Sequence, residues 1–123
     1  MEVNVRNPTS VLVARALGAH VDAVRSGKAR SKQITYGQLR DSVELVGGVR
    51  YATIGSGTYL GHVIDALTSH KLPNALTTFV VPQGQSLDIE MFEPYGITRR
   101  NLVAKKTEVL QFDWDAIEFV ART

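Results

Sequence analysis

A chain of 123 residues, 44% of them hydrophobic and 21% charged, has the make-up of one folded globular domain spanning 1–123 rather than of a disordered segment. The complete absence of cysteine excludes disulfides, thiolate metal sites and thiol nucleophiles. The apolar runs are too short to span a bilayer and Met1 to Arg6 has no signal-peptide core, so a cytoplasmic protein without a membrane partner is expected. A formal net charge of +2 is too small to speak for nucleic acid, so the placement of the cations has to decide.

Asn7 followed by Pro8 is a helix cap with proline at the first helical position. Val13, Leu17, Val21 and Val24 then recur at helical spacing until Ser26 and Gly27 end the pattern. The connector 28–33 carries three cations, Lys28, Arg30 and Lys32, and no acid, and reads as a solvated basic loop. Thr35 with Gln38 makes a capping box and Ile34 with Leu39 a hydrophobic staple, so a second helix starts at Tyr36 and turns Leu39, Val43 and Val46 inward until Gly47 and Gly48.

A third helix, capped by Thr53 or Ser56, is predicted from the stripe Leu60, Val63, Ile64 and Leu67, and Pro73 marks its end. Thr77 to Val81 reads as a strand, 83–86 as a turn, and Leu87, Ile89 and Met91 alternate with Asp88 and Glu90 as a returning strand. These make a β-hairpin with an acidic outer face. A C-terminal helix is predicted from Thr98 to about Leu110, followed by the aromatic anchors Phe112 and Trp114 and a last turn through Ile117 and Val120 capped by Asp113 or Asp115. The expected fold is α+β, a winged-helix-like helix-turn-helix core with a β-hairpin and a C-terminal helix. Ile34, Leu39, Leu60, Val63, Ile64, Leu67, Val80 and Trp114 should share its one core.

The glycines between Ile54 and Gly61 have the spacing of a dinucleotide loop, but the strand that follows ends in Val80, Val81, Pro82 and Gln83 with no acid for a ribose hydroxyl. Glycine is therefore read as permitting a turn, and no cofactor is expected. His62, Asp65 and His70 share a helix without further ligands, so no metal is expected either. Asp88, Glu90 and Glu93 lack the lysine of a nuclease site, Phe92 standing in its place, and no serine has a histidine and acid to activate it. A non-enzymatic role follows, with no catalytic residue assigned.

Cation clustering is the strongest functional signal. Residues 25 to 50 hold six cations, Arg25, Lys28, Arg30, Lys32, Arg40 and Arg50, against the two acids Asp41 and Glu44; residues 99 to 106 add Arg99, Arg100, Lys105 and Lys106 against none. Neutralising phosphates needs such a patch on a fold whose helix reaches a groove. The expected partner is double-stranded DNA, bound through Lys28, Arg30, Lys32, Arg50, Thr53, Ser56, Arg99 and Arg100. The alternative is a protein-binding adaptor or inhibitor that uses the acidic segment of Asp88, Glu90 and Glu93.

Thr35-Tyr36-Gly37-x-Leu39, Ile54-Gly55, Leu72-Pro73 and Val80-Val81 together resemble the C-terminal winged-helix half of DNA alkyltransferases, over less than half of the chain. The resemblance implies a DNA-binding winged helix. In that family an arginine of the recognition helix replaces an extruded base and a cysteine accepts the alkyl group. Ala52 stands at the arginine position here and Asn74 at the cysteine position, so alkyl transfer is excluded by the missing thiol. A longer pattern adds Leu60-Gly61-His62-Val63-Ile64 and Phe112-Asp113-Trp114, and is similar to a small bacterial domain found around restriction and mobile-element genes. That likeness implies a fold and a phage, mobile-element or defence setting, but no assigned activity.

Overall fold

A computed structural model describes residues 1–47, 57–81, 84 and 86–122. Its α+β architecture is built around α1 (Pro8–Arg25), on which α2 (Tyr36–Gly47) and α3 (Gly57–Ser69) both pack. Asn7 Oδ1 accepts the Thr9 N–H at 2.8 Å, and Pro8 opens the helix where no amide donor is needed. Val13, Leu17 and Val21 are fully buried, as their spacing predicts, while Val24 is only half-buried.

The capping box forms as read. The Thr35 N–H donates to Gln38 Oε1 at 2.9 Å and the Gln38 N–H donates to Thr35 Oγ1 at 3.2 Å. Ile34 and Leu39 are both buried in the common core beside it. Of the eight positions expected to share that core, only Leu60 is half-buried, packed against the rest.

Two strand pairs were not expected. β1 (Glu2–Val5) runs parallel to β4 (Glu118–Ala121), with Val3 opposite Phe119, and β2 (Ile34–Thr35) runs parallel to β3 (Val80–Val81). Val3 and Val5 point into the core while Glu2 and Asn4 face outward, so the alternation is that of a half-buried strand. A parallel pair needs partners from distant parts of the chain. No stretch of four residues reveals that.

The predicted hairpin does not form. Asn74–Phe79 is a 3₁₀ helix and Ile89–Tyr95 is another, with only Val80 and Val81 extended between them among the described residues. The cause is a side chain. Buried Asn74 donates through Nδ2 to Thr68 Oγ1 and to the Tyr95 carbonyl, both at 3.1 Å, which ties the start of one 3₁₀ helix to the end of the other. Asp88 Oδ1 accepts the Glu90 N–H at 3.3 Å and so caps a helical turn. The expected alternation fails accordingly: Ile89 is buried, but Met91 is 64% exposed.

The C-terminal helix is α4 (Leu102–Gln111), shorter at its start than predicted. A turn locked by Thr98 and Asn101 precedes it: the Thr98 N–H donates to Asn101 Oδ1 at 2.7 Å and the Asn101 N–H donates to Thr98 Oγ1 at 3.4 Å. Asp113 then caps a third 3₁₀ helix, Trp114–Ala116, through the Asp115 N–H at 3.2 Å, but the turn does not continue through Ile117 and Val120, because Ile117 is extended and Val120 belongs to β4.

α1 and α3 end alike. Past α1, the Lys28 N–H reaches the Ala23 carbonyl at 2.8 Å and the Gly27 N–H the Val24 carbonyl at 3.2 Å, with Gly27 left-handed at φ 78°. Past α3, the Leu72 N–H reaches the Leu67 carbonyl at 2.9 Å and the Lys71 N–H the Thr68 carbonyl at 3.1 Å, but the left-handed residue is Lys71 at φ 57°. A side chain there costs energy that glycine does not incur. Lys71→Gly is therefore expected to stabilise the protein by about 1 kcal/mol in denaturant unfolding. A loss of stability would mean that the lysine side chain contributes more than its backbone costs.

Candidate nucleic-acid interface

The basic loop leaves α1 at Gly27 and is pinned back to it. His20 Nε2–H donates to the Lys32 carbonyl at 2.8 Å, and the Gln33 N–H donates to Ser31 Oγ at 3.2 Å. Lys28, Arg30 and Lys32 remain exposed. These bonds use only backbone carbonyl, ring and hydroxyl groups, so all three cationic heads are left for solvent or a ligand.

Lys106 of α4 packs on the first 3₁₀ helix. Its Nζ lies 5.1 Å from the centre of the Phe79 ring, a distance at which the ring face attracts a cation. Burial first, and the charge of Lys32 second, push the Lys106 ammonium below the ordinary lysine range. Lys105, the preceding residue, borders a shallow depression with Lys71, Asn74 and Glu108.

Arg99 and Arg100 are exposed in the turn before α4, whose first turn holds no acid. Positive charge thus lies just before the start of α4 and, at Lys105 and Lys106, in its middle. The helix dipole adds to it at that end.

Other cations are already engaged. Arg25 pairs with Asp22 at 3.7 Å and donates to the Phe112 carbonyl at 2.8 Å, and Arg40 pairs with Asp41 at 3.8 Å. Burial and the neighbouring Asp115 push the Asp22 carboxyl up, which makes the end of α1 an acid-rich corner rather than part of the basic face. Among the described residues, Lys28, Arg30, Lys32, Arg99, Arg100, Lys105 and Lys106 have no carboxylate within ion-pair distance. Arg50, Thr53 and Ser56, the other expected contacts, lie outside the described residues.

Neither a protein-family model, a curated protein nor a solved structure matches the chain. Among the described residues no helix is long and apolar enough to cross a membrane. His62, weighed with Asp65 as a ligand of one ion, lies with its Nδ1 3.0 Å from Ser10 Oγ. Asp88 and Glu90, weighed as a strand-borne carboxylate pair, sit instead at the start of a 3₁₀ helix.

The sequence counts Lys106 in the basic 99–106 cluster but singles out only Arg99 and Arg100 of it as contacts. A lysine on a polar helix stretch carries no mark of what packs beside it. Its place over the Phe79 ring comes from tertiary packing.

Proposed function

We infer that this chain is a non-enzymatic, cytoplasmic protein that binds double-stranded DNA, with α2 and α3 as a helix-turn-helix pair that lacks a hairpin wing among the described residues and α1 packed behind both. The single observation that carries the reading is that Lys28, Arg30 and Lys32 of the loop and Arg99 and Arg100 before α4 are all exposed and, among the described residues, have no carboxylate within ion-pair distance. Like charges held together without a counter-charge raise the energy of the free protein, and a polyanion relieves that cost. Arg99 and Arg100 extend the patch along α4, and the reading assigns Arg50, Thr53 and Ser56 to the groove-facing start of the second motif helix.

Affinity for a random-sequence duplex should be modest and steeply salt-dependent, its logarithm falling by about 0.9 per phosphate contact per decade of salt. Replacing Lys28, Arg30 and Lys32 together with alanine should flatten that slope by up to about three contacts, or 2.7. Neutralising Asp88 and Glu90 should leave it unchanged or steeper. A folded sample that shows no duplex binding at low salt would sink the reading, and would favour the protein-binding alternative through Asp88, Glu90 and Glu93.

A further inference from the structure

β1 and β4 form a two-stranded sheet, so each strand has an outer edge with no strand beside it. The Glu118 N–H donates to the Met1 carbonyl and the Arg122 N–H to the Val5 carbonyl, both at 2.8 Å. With Val3 opposite Phe119, that parity turns the backbone groups of Val3 and Val5 toward β4 and those of Glu2, Asn4 and Arg6 away from it. The outer edge of β4 is partly closed, because Arg15 Nη2 donates to the Phe119 carbonyl at 2.8 Å. The edge of β1 is open. Among the described residues nothing bonds the N–H or C=O of Glu2, Asn4 or Arg6, and β1 holds neither the lysine nor the proline that commonly blunts an edge.

The side chains on this edge say what fits it. Glu2, Asn4 and Arg6 are all exposed, and along the edge their charges run negative, neutral, positive. A second copy laid antiparallel about a two-fold axis at Asn4 puts Asn4 opposite Asn4 and Glu2 opposite Arg6 on each side of the axis. The same three residues carry the outward backbone groups, so they fall at the hydrogen-bonded positions of the new ladder. Among the described residues neither Glu2 nor Arg6 has an ion-pair partner in its own chain.

We propose that the outer edge of β1 pairs antiparallel with β1 of a second copy of this chain, joining the two small sheets into one in the order β4-β1-β1-β4. About six backbone hydrogen bonds hold the joint, with a Glu2–Arg6 ion pair on each side of the axis. The charge order selects the occupant. A strand from another protein fits only if it happens to carry the reversed order of charges, whereas a second copy always does. One short strand buries less surface than a standard interface, so the association is weak and reversible. The edge uses no residue of the basic loop or of α4, and the inference therefore stands apart from DNA binding.

Sedimentation equilibrium of the full chain without nucleic acid is the test. For the wild type, the mass should rise reversibly with concentration toward twice that of one chain. Glu2→Arg alone and Arg6→Glu alone each set like charges opposite one another on both sides of the axis, and each should weaken association by about tenfold or more. An equimolar mixture of the two variants should restore it, because each copy then offers the charges that the other lacks. The double variant Glu2→Arg with Arg6→Glu should also associate on its own. Both positions are exposed, so folding should survive, and circular dichroism checks it. A wild type that keeps the mass of one chain up to about 1 mM would overturn the dimer. Association that persists unchanged in both single variants, or that the mixture fails to restore, would overturn the pairing of β1 with β1.

Discussion

Leu67→Ala is expected to destabilise the protein by about 2–5 kcal/mol, the range for removing a buried leucine side chain and leaving a cavity. Leu67 is fully buried on α3, one helical turn beyond Val63 and Ile64, in the face that meets α1 and the first 3₁₀ helix. Its carbonyl also accepts the Leu72 N–H that closes the helix end, so the residue sits where the chain reverses toward Pro73. A small domain has a total stability of about 5–15 kcal/mol, so the loss would be a large share of it. Leu60→Ala provides the control. Leu60 lies on the same helix but is half-buried beside open space, and its truncation should cost distinctly less. Chemical denaturation of both variants checks the pair. Equal costs would mean that the apolar stripe of α3 does not face the core as described.

How much of this could be read from the chain depended on how far each device reaches. The cap at Asn7, the box at Thr35 and Gln38 and the turn at Gly27 are each completed within a few residues, and each was legible. The strand pairs were not. β1 and β4 stand at opposite ends of the sequence, and β2 and β3 have two residues each, too few for alternation to show. Thr77 to Val81 has the β-branched and aromatic composition of a strand, yet Asn74–Phe79 is buried on every side as a 3₁₀ helix. Composition suited either state. The decision lies with Asn74, whose amide bonds a carbonyl 21 residues away, and with Thr78, whose hydroxyl turns back on the Ala75 carbonyl at 2.6 Å.

The candidate interface divides in the same way. A run of cations without acids is visible in the sequence, so the loop of Lys28, Arg30 and Lys32 could be named from it. Where Lys106 lies depends on how α4 packs against the first 3₁₀ helix, and its place over the Phe79 ring is a product of that packing. Long side chains of this kind bury their stems and keep their charge near solvent, which no periodicity reveals. A cavity between α3 and the second 3₁₀ helix was hidden for a related reason. It exists because residues 89–95 form a helical turn where alternation promised a strand.

Trp114→Ala is expected to cost about 3–5 kcal/mol, as befits a buried aromatic side chain. Trp114 is the chain's one tryptophan, so the unfolding of its variants has to be followed by circular dichroism rather than fluorescence. Its ring centre lies 4.7 Å from that of Phe112 and 6.4 Å from that of Phe119, and its Nε1–H donates to the Val109 carbonyl at 2.9 Å. It therefore joins the end of α4 to the strand that pairs with β1. On its other side Gly18 of α1 allows close approach, a Cβ built there lying 3.7 Å from the Trp114 Cβ. That spacing is ordinary contact, so Gly18→Ala should be tolerated and the ring, not the glycine, holds the joint. Trp114→Phe should fall between the wild type and alanine. It keeps much of the apolar surface but loses the indole donor, while the Val109 carbonyl retains the Phe112 N–H at 3.3 Å. A cost for Trp114→Ala below about 1 kcal/mol, the scale of an ordinary surface substitution, would mean that the C-terminal segment does not dock on α1 through this residue.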